Sequence, residues 1–465
     1  MKLSAGAFGK ALAVSLAAVA VAALAVAAVA LWKDRSAASL LWFSAWLGLM
    51  AFLARREARG AAFWPALVLT LAFAALLRWQ GLELIEGVAL RADPMNYANL
   101  AQGLLAGDGL IVDDWRYGEG LRAHWPPLYP IALAGWWGVF GDGAFSTLAM
   151  QTVLALATAW LLFDCARALG SAPAGRIAAL SFLAYPAYAL AVYPHKEGLL
   201  LLIVVAMLRL AIAWLNRPKL WHGAALGVLW GLLALGQPSW ALMPVAVALV
   251  LAVLRGARPV ALLGLVASPV LIAVLAPWWV RNWMLFHAFV PLTTAGGYTF
   301  WVALGEHAPA FPPDLFAVPE QKRGAVMTAL SLDAIAAQPV AYVRTVLVNA
   351  AKAFAYEEGT IGALRSAVPT IAPGPRGAMT FFVQAGWTAL LAISAWAAAR
   401  GRAPALLTGV ALAMLVALGG INIWIEFGER HRQILTPLLM LIAAFAATGQ
   451  ALPTTLSGRS LPNTR

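Results

Sequence analysis

The sequence predicts an all-α, polytopic transmembrane helical bundle of about twelve spans, with two long extracytoplasmic loop regions. Hydrophobic residues make up 62% of the 465 residues and charged residues only 11%, whereas soluble domains carry about 25% charged residues. The apolar runs are continuous over about 17–25 residues, which matches the thickness of a bilayer. Helices pair their own backbone groups in lipid, whereas a β-barrel would require alternating apolar and polar residues.

Each predicted span is one of these apolar runs. The first run resembles a signal peptide, because Ala-Val-Ala-Ala-Val-Ala is similar to a cleavage site, but its apolar stretch is too long for an ordinary signal peptide and we expect an uncleaved span. The spans are expected at 11–31, 38–54, 61–79, 145–165, 177–193, 198–215, 220–236, 239–255, 259–277, 378–399, 403–424 and 433–451.

The basic residues between the spans predict the orientation. Basic loops alternate with loops that carry few basic residues, and the positive-inside rule assigns the basic loops to the cytoplasm. Both ends of the chain are then cytoplasmic, and all of the twenty acidic residues except Glu57 and Asp164 lie outside. The expected divisions are three N-terminal transmembrane helices (1–79), a first loop region with an interfacial helix (80–144), central transmembrane helices (145–277), a second loop region (278–377), and C-terminal transmembrane helices with a short cytoplasmic tail (378–465).

Two apolar stretches in the loop regions are ambiguous. Residues 129–140 are too few for a span and include Trp136 and Trp137, which favours an interfacial or re-entrant helix. Residues 333–356 have a helical apolar face and are placed at the outer surface, although a further span is the alternative.

Composition and missing motifs exclude several functions. The single cysteine, Cys165, excludes an intrachain disulfide and a cysteine-based zinc cluster. The net charge of +12 comes largely from basic residues that flank apolar runs, so it indicates topology and not nucleic-acid binding. No phosphate-binding loop, His-Glu-x-x-His motif or Gly-x-Ser-x-Gly elbow is present. Six histidines without paired spacing argue against an imidazole metal site; no cofactor is predicted, and a divalent metal remains an open alternative.

Polar residues next to the predicted spans are the first candidates for a site. Asp93, Tyr97 and Leu100 fall on one face of a helix, where Asp93 could cap the helix or act in catalysis. Lys196 and Glu197 lie in a short turn before a span, where they could anchor and cap the helix or bind a substrate.

Three arginines extend this candidate set. Arg281 lies among aromatic residues, which is typical of an interface anchor and also of a phosphate-binding group. Gly296-Gly297 indicates a tight turn or a close backbone approach. Arg430 and Arg432 are predicted outside, just before the last span, with Glu426, Glu429 or an anionic ligand as partner.

In order along the chain, these segments resemble the GT-C glycosyltransferases, and most closely the group of protein O-mannosyltransferases and lipid A aminoarabinose transferases. The resemblance covers about 90–440. The motifs that carry it are Asp93, Tyr97, Gly107/Gly109, Pro126-Pro127-Leu128-Tyr129-Pro130, Phe140-Gly141, Glu197, Pro277-Trp278 with Arg281-Asn282, and Arg430 with Arg432. Where the aminoarabinose transferases have a phosphate-contacting lysine, this chain offers Arg122 or His124 as a substitute.

The resemblance implies an inverting glycosyltransferase of a bacterial inner membrane, with its site on the periplasmic side. Its donor would be a polyprenyl-phosphate sugar, its other partners membrane lipids and an unidentified acceptor, and no nucleic acid. The implied roles are catalysis by Asp93 and Glu197, donor-phosphate binding by Arg281, Lys196, Arg430 and Arg432, and substrate binding by Tyr97, His124, Tyr129 and Tyr298. The alternative class is a lipid or solute transporter or flippase, which would place ionisable groups or broken helices near the midplane.

Overall fold

The computed structural model of the protein is a helical bundle with one short antiparallel β-hairpin. It describes residues 5–34, 37–58, 63–85, 90, 92–189, 192–357, 373–426 and 429–449. The α-helices are Ala5–Asp34, Ala37–Ala58, Phe63–Ile85, Ala92–Ala106, Leu128–Phe140, Ala144–Ala168, Ala172–Leu183, Pro186–Ala189, Glu197–Asn216, Leu220–Gly236, Met243–Arg255, Ala257–Phe286, Gly296–Ala303, Glu320–Ala337, Pro339–Ala355, Pro373–Ala399, Ala405–Ala417, Ile423–Ile425 and Thr436–Thr448. Turns of 3₁₀-helix cover Pro238–Trp240, Gly305–His307, Leu315–Ala317 and Glu429–Leu435, and a π-helical turn covers Leu418–Asn422.

The all-α membrane bundle predicted from the apolar runs is confirmed. Within the described residues, ten helices are long and apolar enough to cross a membrane, or eleven if one bent pair forms a single span. The predicted C-terminal tail lies outside the described residues.

Two of the predicted spans differ from the structure. The apolar run at 177–193 does not form one helix, because the helix that contains its first part ends at Leu183 and a four-residue helix then begins at Pro186. Its remaining apolar residues pack inside the protein, where Tyr185 and Tyr193 are at most 1% exposed. The run at 220–236 forms a helix, but a shorter one than the ten candidate spans. Hydropathy does not distinguish apolar residues that face lipid from those buried in protein.

The stretch predicted as one helix at 333–356 is also broken. Helix Glu320–Ala337 ends before Gln338, and helix Pro339–Ala355 then leaves at an angle of 110°. Pro339 has no backbone N–H to donate and is tolerated in the first turn of the new helix, so the break occurs there.

The first loop region has an apolar core of its own. Its hairpin pairs Val112–Asp114 with Gly118–Leu121, and its expected short helix is present as Leu128–Phe140. This core also includes Met150 and Trp278 from two long helices, so the loop region is packed on the bundle. Its buried members include Tyr97, Leu100, Leu121, Trp125, Tyr129, Leu133 and Trp137.

One ionisable residue inside a long helix is paired. Arg209 donates to the carboxylate of Asp164, which also accepts from Arg167 Nε at 3.0 Å. Asp164 is one of the two acidic residues predicted on the cytoplasmic side, and the pair neutralises Arg209 within helix Glu197–Asn216.

Candidate active site

A polar cavity of about 340 Å³ lies where both loop regions meet the ends of the long helices. Its walls come from five separate parts of the chain, so it forms only in the folded protein. The lining residues are Asp93, Tyr97, Tyr117, His124, Trp125, Pro126, Lys196, Gln237, Pro238, Ser239, Leu242, Thr293, Ala295, Gly296, Thr299, Asn422, Ile425 and Glu426.

Asp93 is bound by groups from distant parts of the chain. Helix Ala92–Ala106 begins one residue before it, which places Asp93 inside the first turn. Its Oδ2 accepts a hydrogen bond from Arg430 Nη2 at 2.7 Å, and its Oδ1 accepts one from Trp125 Nε1 at 3.4 Å. Arg116 Nη2 is a further 3.9 Å from Oδ1. The carboxylate is therefore part of a charged cluster and not a simple helix cap.

The charge of Asp93 is decided by two opposing effects. Burial favours the neutral acid and would raise the pKa of Asp93. The Coulombic attraction and hydrogen bond of Arg430, with smaller contributions from Lys196 and Arg116, outweigh burial and lower the pKa to about 2. Asp93 is therefore an ionised carboxylate at neutral pH and can accept a proton.

Lys196 and Glu197, at the start of helix Glu197–Asn216, lie on different sides of the cavity wall. Lys196 lines the cavity, and its Nζ donates to Gln237 Oε1. Burial lowers the pKa of Lys196, although neighbouring Glu197 acts in the opposite direction. Glu197 is 2% exposed and lies behind the cavity wall, with Oε2 3.0 Å from His195 Nε2 and Oε1 3.7 Å from Arg430 Nη1.

Tyr129 holds the turn before helix Glu197–Asn216 in position through its hydroxyl group. It is 1% exposed, and its hydroxyl oxygen accepts from the backbone N–H of His195 at 2.7 Å and from Gln151 Nε2 at 3.1 Å. Tyr129 does not line the cavity, so its contact with Lys196 is indirect, through the backbone of the turn.

Aromatic residues form the wall between the two loop regions. The ring of His124 stacks on Tyr117 at 4.3 Å, and the ring of Tyr298 meets Tyr117 edge-on at 4.4 Å. Burial lowers the pKa of His124 to about 4, so its imidazole is neutral at pH 7. Tyr97 lines the cavity directly, whereas Tyr298 lines a smaller neighbouring cavity and donates to the backbone oxygen of Arg116 at 3.0 Å.

None of the three predicted phosphate-binding arginines is among the residues that line the cavity, and two of them are bound away from Asp93. Arg281 Nη2 donates to the backbone oxygen of Arg122 at 2.9 Å, and its guanidinium lies 4.5 Å from the Trp278 ring. Arg432 is 2% exposed, pairs with Glu357 and lies 3.8 Å from the Trp387 ring. The structure therefore brings Lys196 and Arg430 to Asp93, whereas Arg281 and Arg432 are bound to other protein groups.

Arg430 also differs from its expected pairing. The sequence suggested Glu426, Glu429 or a ligand, whereas Arg430 contacts Asp93 and Glu197. The side chain of Glu429 lies outside the described part of the chain. Glu426 instead lies 3.3 Å from His431 Nε2.

Sequence reasoning missed Arg116. This residue lies in the hairpin turn, where Asp114 accepts from its backbone N–H, from Nε and from Nη2. Asn96 donates to the same carboxylate at 2.6 Å. The closely spaced acidic and basic residues of the hairpin were the available signal, but the distance to Asp93 follows only from the fold.

A second missed group surrounds Gln237, where one helix ends before Pro238. Gln237 Nε2 donates to Ser239 Oγ at 2.7 Å and to Glu426 Oε1 at 3.3 Å. Pro238 was a visible helix breaker, but the polar residues beside it gave no separate signal.

The charges around the site do not fit a divalent metal. Among the described residues, no three His, Cys, Asp or Glu side chains are grouped as metal ligands. Arg430, Arg116 and Lys196 surround Asp93 with positive charge, which opposes cation binding at that carboxylate.

Comparisons with known proteins show a similarity of fold but none of sequence. No protein-family model matches the chain, and no curated protein matches its sequence. The fold is similar to that of the archaeal oligosaccharyltransferase AglB from Archaeoglobus fulgidus, solved with an inhibitory peptide and a dolichol-phosphate. The TM-score is 0.44 at 12% identity, over 80% of this chain and 50% of AglB. The chain thus spans about half the length of AglB.

Proposed function

We propose that the protein is a membrane glycosyltransferase that moves a sugar from a polyprenyl-phosphate donor to a hydroxyl group of a lipid, glycan or protein. The observation that supports this most directly is the ionised Asp93, which lines the cavity together with Lys196 and contacts Arg430 and Arg116 behind it. The chemistry requires a proton acceptor next to groups that bind a phosphate, and this cavity supplies both.

The proposed reaction is a single displacement with inversion. The acceptor oxygen forms a bond to the anomeric carbon while the bond between that carbon and the phosphate oxygen breaks. The hydroxyl proton passes to Asp93, and the electron pair of the broken bond remains on the phosphate. A positioned base contributes about 10²–10⁴-fold, and Lys196 and Arg430 stabilise the negative charge on the departing phosphate.

A neighbouring apolar cavity supports a lipid-linked donor. It has a volume of about 230 Å³ and is lined almost entirely by apolar side chains of the long helices. Leu242 lines the polar cavity, and the next residues, Met243 and Pro244, line the apolar one. A substrate with a charged head group and a hydrocarbon tail would occupy both.

The remaining predicted residues have supporting roles in this proposal. Tyr97 and His124 contact the substrate, Glu197 fixes Arg430, and Tyr129 and Tyr298 hold the walls. Arg281 and Arg432 act away from the substrate. We place the site on the extracytoplasmic face of a bacterial inner membrane, where the acidic loop regions are expected.

A transporter or flippase is the second candidate, because the chain breaks at Gln237–Leu242 between two cavities. Broken helices at substrate sites occur in transporters. The two proposals differ in their chemistry: a glycosyltransferase forms a new bond between the sugar and the acceptor, whereas a transporter or flippase moves its substrate unchanged.

The test uses the full chain in liposomes with polyprenyl phosphates that carry radiolabelled sugars and with acceptor lipids from the host envelope. We expect label to move to an acceptor, and Asp93→Asn to reduce the rate by about 10²-fold or more. The matched control is Asp108→Asn, an exposed aspartate of the same loop region, which should keep the wild-type rate. Label that crosses the bilayer on its original lipid, without transfer, would favour the transporter.

A further inference from the structure

One wall of the polar cavity contains an irregular helix. Residues Leu418–Asn422 form a π-helical turn between helix Ala405–Ala417 and the short helix Ile423–Ile425. A π-turn accommodates one extra residue and redirects the side chains that follow, and such turns occur frequently at functional sites. Here the turn ends at Asn422, which lines the cavity.

Asn422 has an unused hydrogen-bond donor. The residue is 7% exposed, and among the described residues no acceptor bonds its Nδ2. A buried N–H without a partner costs free energy, and an unpaired group in a native structure calls for an explanation. A ligand in the cavity would supply the missing acceptor.

A matching acceptor lies one helical turn away. The backbone N–H of Glu426 donates to the backbone carbonyl oxygen of Asn422 at 2.8 Å, which fixes the two backbones relative to each other. The Glu426 carboxylate also lines the cavity, and it is held by Gln237 and His431 at 3.3 Å each. The same wall therefore contains an unused donor, Asn422 Nδ2, and a carboxylate acceptor, Glu426.

The remaining lining here combines polar and apolar groups. Ser239 and Thr299 contribute hydroxyls, while Leu242 and Ile425 contribute apolar surface. The chain of contacts from Glu426 through Gln237 reaches Lys196, which places this wall next to the proposed phosphate position.

We propose that Asn422 and Glu426 form a subsite for a sugar ring, in which one ring hydroxyl accepts from Asn422 Nδ2 and an adjacent hydroxyl donates to Glu426. The C–H face of the ring packs on Leu242 and Ile425. Neighbouring hydroxyls each donate and accept, which matches this pair of groups. The identity of this ring as the transferred sugar rests on the proposed function, whereas the existence of the subsite does not depend on it.

The subsite is tested by sugar binding, without any transfer reaction. The probes are methyl hexopyranosides and their single-deoxy analogues, measured by saturation-transfer NMR on the full chain in nanodiscs. Wild-type protein should bind at least one hexoside, and Asn422→Ala or Glu426→Gln should weaken that binding about tenfold, the effect of one hydrogen bond. Asn422→Asp keeps the side-chain size, exchanges the donor for an acceptor, and should weaken binding similarly.

The matched control is Asn349→Ala. Asn349 is a buried asparagine whose amide donates to the backbone oxygen of Ala303, and it does not line the cavity. Its loss should leave hexoside binding within about twofold, since no hydrogen bond to the sugar is removed. Equal binding by wild type, Asn422→Asp and Glu426→Gln, or no binding of any hexoside by wild type, overturns the subsite. Hexoside binding without sugar transfer would instead overturn the proposed function and leave the subsite in place.

Discussion

Arg430 Nη2 lies 2.7 Å from Asp93 Oδ2, although 337 residues separate them in the sequence. The same guanidinium approaches Glu197 at 3.7 Å, so one side chain connects the first loop region, the turn before helix Glu197–Asn216 and the segment before the last helix. The proposed base and the proposed phosphate-binding groups are held in one place by this contact.

Replacing Arg430 should change the pH dependence of activity. The pKa of Asp93, about 2, lies below the ordinary value of 3.8, so its pairing adds stability that is present above about pH 4 and is lost as the pH falls through about 2. In Arg430→Gln, burial becomes the main influence and raises the pKa of Asp93. We expect the acid limb of the kcat/KM profile to move to higher pH. Arg344→Gln, which alters an exposed arginine away from the cavity lining, is the control and should keep the wild-type limb; an unmoved limb in Arg430→Gln would contradict the assignment of Asp93 as base.

Arg432 should matter for stability and not for donor binding. Its ion pair with Glu357 is buried, and removal of one partner leaves an uncompensated charge, at a cost of about 3–5 kcal/mol. We therefore expect Arg432→Leu to lower the melting temperature in detergent, and the double variant Arg432→Leu/Glu357→Leu to recover much of the loss. Additive losses in the double variant would show that the pair is not coupled.

Glu320 should hold the backbone at Arg122 and Ala123 rigid, next to the aromatic wall. Its carboxylate accepts from the backbone N–H groups of Arg122 and Ala123 at 2.8 and 2.9 Å and from Thr294 Oγ1 at 2.8 Å. In Glu320→Ala, hydrogen exchange of the Arg122 and Ala123 amides should accelerate about tenfold or more, because a tenfold change corresponds to about 1.4 kcal/mol, within the range for one charged hydrogen bond. Glu306→Ala removes a carboxylate that is 85% exposed and should leave these amides unchanged. Unchanged exchange in both variants would mean that other contacts hold the backbone at Arg122 and Ala123.

Two adjacent glycines should respond differently to alanine. A Cβ on Gly297 would lie 1.8 Å from the backbone oxygen of Gly324, whereas a Cβ on Gly296 would meet no atom within 4 Å. Gly297→Ala should therefore destabilise the second loop region by about 1–3 kcal/mol through overpacking, and Gly296→Ala should be neutral or slightly stabilising in its helix. Thermal unfolding of the two variants measures this difference; equal melting temperatures would show that the two helices can separate at no cost.

The sequence was sufficient for the fold class, because continuous apolar runs are a local signal. It also identified Asp93, Lys196 and Arg430 as candidates, since charged residues beside apolar runs stand out. It failed where an apolar run is buried in protein and not in lipid, as at Tyr185 and Tyr193.

The rest of the site depends on contacts between distant residues. Gln237 and Glu426 are 189 residues apart and meet only in the folded chain. The different roles of Arg281 and Arg430 were unpredictable for the same reason. Arg281 donates to the backbone of Arg122 and Arg430 donates to Asp93, and the local sequence around each arginine indicates neither contact.

The 3₁₀-helix Glu429–Leu435 presents three consecutive side chains to three different carboxylates: Arg430 contacts Asp93, His431 contacts Glu426, and Arg432 contacts Glu357. A deletion or insertion of one residue upstream of this segment would exchange all three partners at once. Length changes here should therefore be far more damaging than point substitutions, and an affinity tag or a chimaeric junction belongs elsewhere in the chain.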